Sequence, residues 1–277
     1  MKIDSGRYTV RLAENDADVA AAQALRYAVF VDEMGAKPSP EDKAERRERD
    51  RFDPHCQHLL LVDNNIDTDI DTDAARNGRV VGVYRLLHGS TAKGTADEPG
   101  PGFYTATEYD LTKIENFERE TLELGRSCVA AAYRGTAAMQ LLWMALSQYI
   151  VIHDIGLMFG TASFHGTDIE ALKTPLAFLY HNHLAPEHIR PRTAEAFYVD
   201  MNLAAEDSID RKEAMRMLPA LMKGYMRLGG YVGDGAFVDY DFNTVDVCLV
   251  MDTEKITSRY KKFYARRAPE DIARVLG

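Results

Sequence analysis

Residues 123–143, ELGRSCVAAAYRGTAAMQLLW, constrain the fold more than any other stretch of the chain. The first half interleaves short polar and apolar residues as a strand does. The second, Ala137 to Trp143, is an uninterrupted helix former, and Tyr133-Arg134-Gly135-Thr136 stands between the two. A strand that ends at a basic residue and a glycine and then opens a helix aims free backbone N–H groups at an anion. The chain must build an α/β layer around this unit. Two chemical questions follow: which anion the turn receives, and what Glu123 does upstream of it.

The remaining pattern alternates in the same way. YTVRLA (8–13) alternates as a strand, and 17–34 carries Val19, Leu25, Val29 and Phe30 at helical spacing, with Asp16 as its cap. HLLLVD (58–63) and RVVGVYRLL (79–87) read as paired strands. A helix follows over 137–152, a strand over 156–164, and a helix over 169–180 with Asp168 or Thr167 as its cap. A helix over 211–228 is interrupted at Pro219, and 237–251 contains a last strand. The charged run PSPEDKAERRERDR reads as a solvated loop or short helix. No internal repeat and no separating linker divides this mixed α/β chain.

Composition removes several function classes. A formal charge of −10 over 277 residues opposes general nucleic-acid binding, which needs a basic face. No apolar run approaches the ~20 residues that span a bilayer, and MKIDSGRYTV has no signal-peptide core, so the expected location is cytoplasmic. Cys56, Cys128 and Cys248 are odd in number and far apart, which suits buried thiols. With 46% hydrophobic residues the chain has the material for a full core.

Two motifs fail on geometry. Asp67, Asp69, Asp71 and Asp73 alternate like a calcium loop, but Thr72 and Gly78 stand where such a loop needs a glycine and a bidentate glutamate. His58 and Asp63 have an H-x4-D spacing, yet LLLV between them reads as a strand, in which residues five apart face opposite ways. His181, His183 and His188 lack a completing cysteine or acid, so no metal site is expected.

The order of elements resembles the fold of the GCN5-related N-acetyltransferase superfamily, a mixed central sheet flanked by helices. Arg26 with Val29-Phe30, Asp50 with Phe52-Asp53, Gly82 with Arg85-Leu86, and Glu123 with Arg126 are similar to the pattern of the acyl-homoserine lactone synthases. The segment LPALMKGYMRLGGYVGDGAFVDYDFNTVDVCLVM (218–251) instead resembles the C-terminal signature of the bacterial ornithine-lipid N-acyltransferases, as does ASFHGTD (162–168). The resemblance covers 20–251. It implies one extended acyltransferase domain with a core over about 8–200, a family-specific C-terminal extension over about 201–254 and a basic tail over 255–277.

The implied reaction moves a 3-hydroxyacyl chain from acyl carrier protein to the α-amine of ornithine, or of a related amino acid such as glutamine, giving a lyso-aminolipid. No bound cofactor is implied; the phosphopantetheine thioester is a co-substrate. In superfamily members that use coenzyme A the turn usually reads R-x-x-G-x-G/A. Ala137 and Met139 here replace the glycines, so Arg134, Gly135 and Thr136 suit the single phosphate of a carrier-protein arm. A protonated α-amine must lose a proton before it attacks, and Glu123 can accept it directly or through water. The backbone N–H groups of Cys128 and Val129 would stabilise the oxyanion if the strand bulges there, which Gly125 makes cheap.

Other readings stay open at several positions. Glu123 could equally be a buried ion-pair partner of Arg126 or Arg85, and the two roles are compatible. Cys128 has no histidine nearby in sequence and reads as a buried thiol rather than a nucleophile. Arg26, Asp50, Asp53, Arg85 and Arg126 form a polar network of supports or substrate contacts, and Ser163 and Asp168 join that set from the ASFHGTD segment. Asp234, Asp239, Asp241 and Asp246 could receive a cationic side chain or serve turns. The tail segment KITSRYKKFYARR holds six basic residues and no acid, a terminal helix docked on the core or a surface for carrier protein or an anionic inner membrane. A lactone synthase is opposed by the C-terminal signature and by the lack of tryptophan over 27–40; a non-enzymatic acyl-binding module is the third class.

Overall fold

The computed structural model of the protein describes residues 1–65, 78–135 and 137–256. The aspartate-rich connection at 66–77, Thr136 and the basic tail from 257 lie outside the described residues. In chain order the elements are β1 (Lys2–Asp4), β2 (Tyr8–Leu12), α1 (Asp16–Arg26), α2 (Pro40–Glu45), β3 (Gln57–Asp63), β4 (Arg79–His88) and α3 (Gly89–Lys93). Then come β5 (Tyr109–Asp110), α4 (Thr112–Glu115), β6 (Glu120–Val129), α5 (Ala137–Ile152), β7 (Ile155–His165) and α6 (Lys173–His183). The chain closes with β8 (Arg192–Thr193), α7 (Arg211–Met217), α8 (Ala220–Leu228), β9 (Tyr231–Val232), β10 (Phe237–Asp239) and β11 (Thr244–Asp252). The contacts divide it into two compact units. One comprises Met1–Leu87 and Leu124–His153, the other His88–Glu123 and the described chain from Asp154 onward.

In the first unit β1, β2, β3 and β4 are consecutive antiparallel neighbours, and the second half of β6 lies beside β4. Leu59 to Val62 of β3 are all buried because α5 packs against β2 and β3 while α1 also packs on β3. Leu142, Ala145, Leu146 and Tyr149 recur at i, i+3, i+4 and i+7 and are the buried face of α5. α1 is capped by Asn15, whose side chain accepts from the Asp18 N–H, not by Asp16 as the sequence pattern indicated. The expected helix over 17–34 is continuous but changes pitch: Tyr27–Glu33 is a π-helix. Ala22, Val29, Leu60, Val62, Val83 and Cys128 form one apolar cluster.

Three arginines and three carboxylates close a ring beside this core. Arg26 donates to Glu48 at 2.5 Å and forks onto Asp53 at 2.8 and 3.1 Å. Asp53 is shared with Arg85 at 2.8 Å, Arg85 reaches Asp50 at 2.6 Å, and Asp50 is shared with Arg126 at 2.9 Å. Arg126 returns to Glu48 at 3.0 Å. Every charge has an opposite neighbour on both sides, so the ring is neutral although Arg26 is 0% exposed. Glu48 and Asp50 fall in the run read as a solvated loop or short helix. That run does form α2, but its last residues are drawn inward because each carboxylate meets two guanidinium groups.

The second unit holds the first half of β6, parallel to β7, with β11 antiparallel to β7, and β10 and β9 antiparallel to β11. The stretch 237–251 contains the expected last strand as β11, with β10 paired to it as a hairpin. The helical pattern over 211–228 breaks at Pro219 into α7 and α8 as expected. α6 begins at Lys173, four residues later than expected. The Asp168 carboxylate accepts from the N–H groups of Glu170 and Ala171 and so closes a separate turn ahead of it.

Burial alone would raise the Asp53 carboxyl, but Arg26 and Arg85 hold it well below the usual carboxylate range. A depressed folded-state value adds stability above the ordinary value of 3.8, and that stability is lost as pH falls toward the depressed one. Asp53→Asn should therefore cost about 3 kcal/mol at neutral pH, because it leaves Arg26 buried with one partner fewer. Urea unfolding should find that gap at about pH 7 and one only about 1 kcal/mol smaller at about pH 3, where the unfolded chain but not yet the folded one binds the proton.

Candidate active site

Glu123 stands where the parallel pairing of β6 with β7 ends, opposite Phe159. It is 4% exposed, and both carboxylate oxygens are engaged: Oε1 accepts from the Thr105 N–H at 2.6 Å and Oε2 from the Tyr104 N–H at 3.1 Å. These donors open the short 3₁₀ turn Thr105–Thr107, whose first N–H groups have no partner within the turn. Glu123 thus caps a turn on its own unit.

Register puts a polar row on the same face of this sheet. Glu123 is paired with Phe159, and β7 alternates from there through Thr161 and Ser163. Thr161 lies opposite Cys248, Ser163 opposite Asp246, and His165 opposite Thr244 on β11. The Phe103 ring meets Phe159 edge to face at 5.0 Å, so the segment leading into the Glu123-capped turn lies over this face. Burial pushes the Cys248 thiol far up, and the Glu108 and Glu123 carboxylates push it the same way. Of the residues singled out from the ASFHGTD segment, Ser163 belongs to this face, whereas Asp168 is exposed in its turn.

In the first unit, β6 is irregular at Arg126, which has φ +50°, between Gly125 and the Cys128–Val129 stretch where a bulge was expected. A left-handed residue with a side chain costs roughly 1–2 kcal/mol. The bonds of Arg126 to Glu48 and Asp50 hold it there. Two residues on, Cys128 is packed in the apolar cluster, and burial pushes its thiol up to about 12. A thiol in that state is no nucleophile at neutral pH. Gly135 follows at φ +73°, with open space where a Cβ would stand. Arg134 forks onto Glu33, with Nη2 to Oε2 at 2.8 Å, and its Nε donates to the Val129 carbonyl at 2.9 Å. Thr136, the third residue assigned to the turn, lies outside the described residues.

Arg26, Asp50, Asp53, Arg85 and Arg126 are brought together as the sequence pattern indicated. Sequence reasoning missed Glu48, Glu33, Glu108 and the Tyr104–Thr105 donors. Glu33 lies seven residues after Arg26, a spacing that could have flagged a shared helix face. Glu48 is one acid in a mixed run, and no spacing rule marks it as buried.

A family model described as an acetyltransferase (GNAT) domain matches residues 25–144, which include β6 and the Arg134-Gly135 turn. The L-ornithine N(alpha)-acyltransferase of Rhodobacter capsulatus is 48% identical over 94% of this chain and 95% of its own length. That of Brucella abortus is 40% identical over 95% of this chain and 90% of its own. Among solved structures, an N-acyl amino acid synthase from uncultured soil microbes aligns over 90% of this chain and 92% of its own with 9% identity and a TM-score of 0.49. An α/β chain that carries the acetyltransferase domain and matches two such enzymes over nine-tenths of both lengths belongs to the L-ornithine N(alpha)-acyltransferase family.

Proposed function

We propose that this acyltransferase moves a 3-hydroxyacyl chain from the phosphopantetheine thioester of acyl carrier protein to the α-amine of ornithine, making a lyso-aminolipid. The observation that carries the chemistry is Glu123, a buried carboxylate held by two main-chain donors at the end of the β6–β7 pairing. Its fixed orientation suits a general base, since a proton acceptor must keep one lone pair aimed at the amine. The deprotonated amine attacks the thioester carbonyl carbon, a tetrahedral oxyanion forms, and its collapse expels the pantetheine thiolate. Two protons leave the nitrogen: the first, from the ammonium, passes through Glu123 to solvent before attack, and the second, lost from the nitrogen of the tetrahedral intermediate, is passed by Glu123 to the departing thiolate. No acyl-enzyme is needed, and the buried, strongly raised Cys128 thiol supports direct attack.

The remaining assignments follow from β6 and its turn. The N–H groups of Cys128 and Val129 serve as oxyanion donors, a role supported by the left-handed break at Arg126 just before them. Arg134 and Gly135, with Thr136, receive the phosphate of the donor arm, and Arg134 would exchange Glu33 for it. Ser163 is a substrate contact on the Glu123 face; Arg26, Asp50, Asp53, Arg85 and Arg126 are supports, and Asp168 acts through its turn. The two units are taken as one extended acyltransferase domain, because β6 contributes to both. No helix among the described residues is long and apolar enough to cross a membrane. Delivery of the product calls for peripheral contact with the inner membrane.

Glu123→Gln removes the proton acceptor and sets its amide NH2 against one of the two main-chain donors, so thiol release from a 3-hydroxyacyl carrier protein with ornithine should fall about 10²- to 10⁴-fold while stability falls only by about 1–3 kcal/mol and the variant stays folded. Activity within about threefold of wild type across the pH range would remove Glu123 from the base role. Cys128→Ala should lose roughly 1 kcal/mol of stability and keep its turnover. Isolation of an acyl adduct on Cys128 during turnover would overturn direct attack.

A further inference from the structure

Three carboxylates of the second unit, other than Glu123, converge. Oxygens of Glu108, Asp239 and Asp246 all lie within 4.8 Å of one another, and Glu108 and Asp246 are buried. Separate elements bring them together. Glu108 closes the turn that Glu123 caps, with its N–H on the Thr105 carbonyl at 3.1 Å. The neighbouring Tyr109 hydroxyl lies 3.0 Å from the Asp246 carbonyl, which ties this segment to β11. Asp239 on β10 is the cross-strand partner of Thr244, two residues before Asp246 on the same face of β11. One Asp239 oxygen is already engaged by the Asp241 and Phe242 N–H groups, both at 2.8 Å.

Thr244 is the independent sign that something else belongs there. Its side chain is directly opposite Asp239 and shares a strand face with Asp246, so it points to the side of the sheet where these carboxylates lie. It is 2% exposed, and the hydroxyl oxygen has no hydrogen-bond partner. A buried hydroxyl without a partner is costly, and three close carboxylates repel one another; a bound cation with several N–H donors relieves both. An ammonium group has three donors and no acceptor, which matches three carboxylate oxygens with a hydroxyl beside them. A hard divalent cation would use the same oxygens with water completing its shell, whereas an ammonium matches the group without added ligands.

We propose that Glu108, Asp239, Asp246 and Thr244 form the pocket for the side-chain ammonium of the amino-acid substrate, and so select a cationic acceptor over a neutral one. The inference rests on ornithine acylation by this chain. It makes these residues specificity-determining, separate from the Glu123 base, and the 3₁₀ turn Thr105–Thr107 connects the two: Glu123 caps its start and Glu108 ends it.

The test compares ornithine with 2-aminopentanoate, which has the same carbon chain without the side-chain amine, using a 3-hydroxyacyl carrier protein as donor. Wild-type kcat/KM should favour ornithine by about 10²-fold or more, because a site built for N–H donors rejects an analogue that lacks them. In Asp246→Asn the preference should shrink about tenfold or more, mainly through a raised KM for ornithine. An unchanged preference in a folded Asp246→Asn that still acylates ornithine overturns the pocket. If that variant does not fold, Glu108→Gln and the isosteric Thr244→Val carry the same expectation and the same refutation. Stoichiometric Ca²⁺ or Mg²⁺ binding by wild type that Asp246→Asn abolishes would make the group a metal site and also overturn it. Wild-type protein that acylates no ornithine at all would instead sink the underlying reaction, and the pocket with it.

Discussion

The first unit depends on a closed ring of six alternating charges. Arg26, Asp53, Arg85, Asp50, Arg126 and Glu48 each touch two opposite charges, so no member is buried with its charge half answered. An isolated buried pair often fails to recover its desolvation cost, because its unused donors and lone pairs find no partner. A ring answers that problem by giving each guanidinium two carboxylates to fork between. Arginine suits these positions and lysine does not: one ammonium cannot reach two carboxylates in a plane as a guanidinium does. The ring ties α1, the segment after α2, β4 and β6 to one another, four pieces far apart in sequence.

That tie also explains how β6 tolerates its break. Arg126 is left-handed in mid-strand, a conformation that glycine would accept more readily, and Gly125 is available one residue earlier. The break falls on the arginine because its side chain is fixed by Glu48 and Asp50. Backbone strain at one residue is thus held by charge pairing at its far end, and strain of this kind collects at functional positions. Glu123 and Cys128 then have opposite fates five residues apart on one strand. The carboxylate meets main-chain donors that keep it polar and oriented, while the thiol packs among Val29, Leu60 and Val83, where ionisation is suppressed.

Much of this was legible before any coordinates, for reasons that differ by residue. Runs such as HLLLVD and the heptad-like spacing of Leu142, Leu146 and Tyr149 report burial directly, so strands and long helices were readable. Arg26, Asp50, Asp53, Arg85 and Arg126 were readable as a set only through the family pattern, since nothing in local spacing links residue 26 to residue 126. Glu48 was hidden because a charged run advertises solvent, and only the tertiary encounter with two arginines reverses that meaning. The Tyr104–Thr105 donors were out of reach for a deeper reason: main-chain N–H groups carry no side-chain signature, so a site built from backbone leaves no motif. Asn15 took the cap expected of Asp16 by a shift of one residue, the scale on which helix ends are least determined by pattern.

The two groups of carboxylates in this chain illustrate how the same residue type serves structure or recognition. In the ring, three acids are matched by three arginines of the same unit, so the charge is closed within the fold and no ligand is called for. Glu108, Asp239 and Asp246 instead lie close to one another on the strand face that also carries Thr244, whose buried hydroxyl lacks a partner. A fold stabilised only by its own contacts gains nothing from the unmet hydroxyl, since burial of a hydroxyl without a partner lowers stability. Binding sites carry such costs because the missing donors arrive with the substrate, and the interaction then strengthens only for a molecule of the right charge. Selectivity for a cationic amino acid can therefore reside in a locally unfavourable cluster, distinct from the carboxylate that takes the proton.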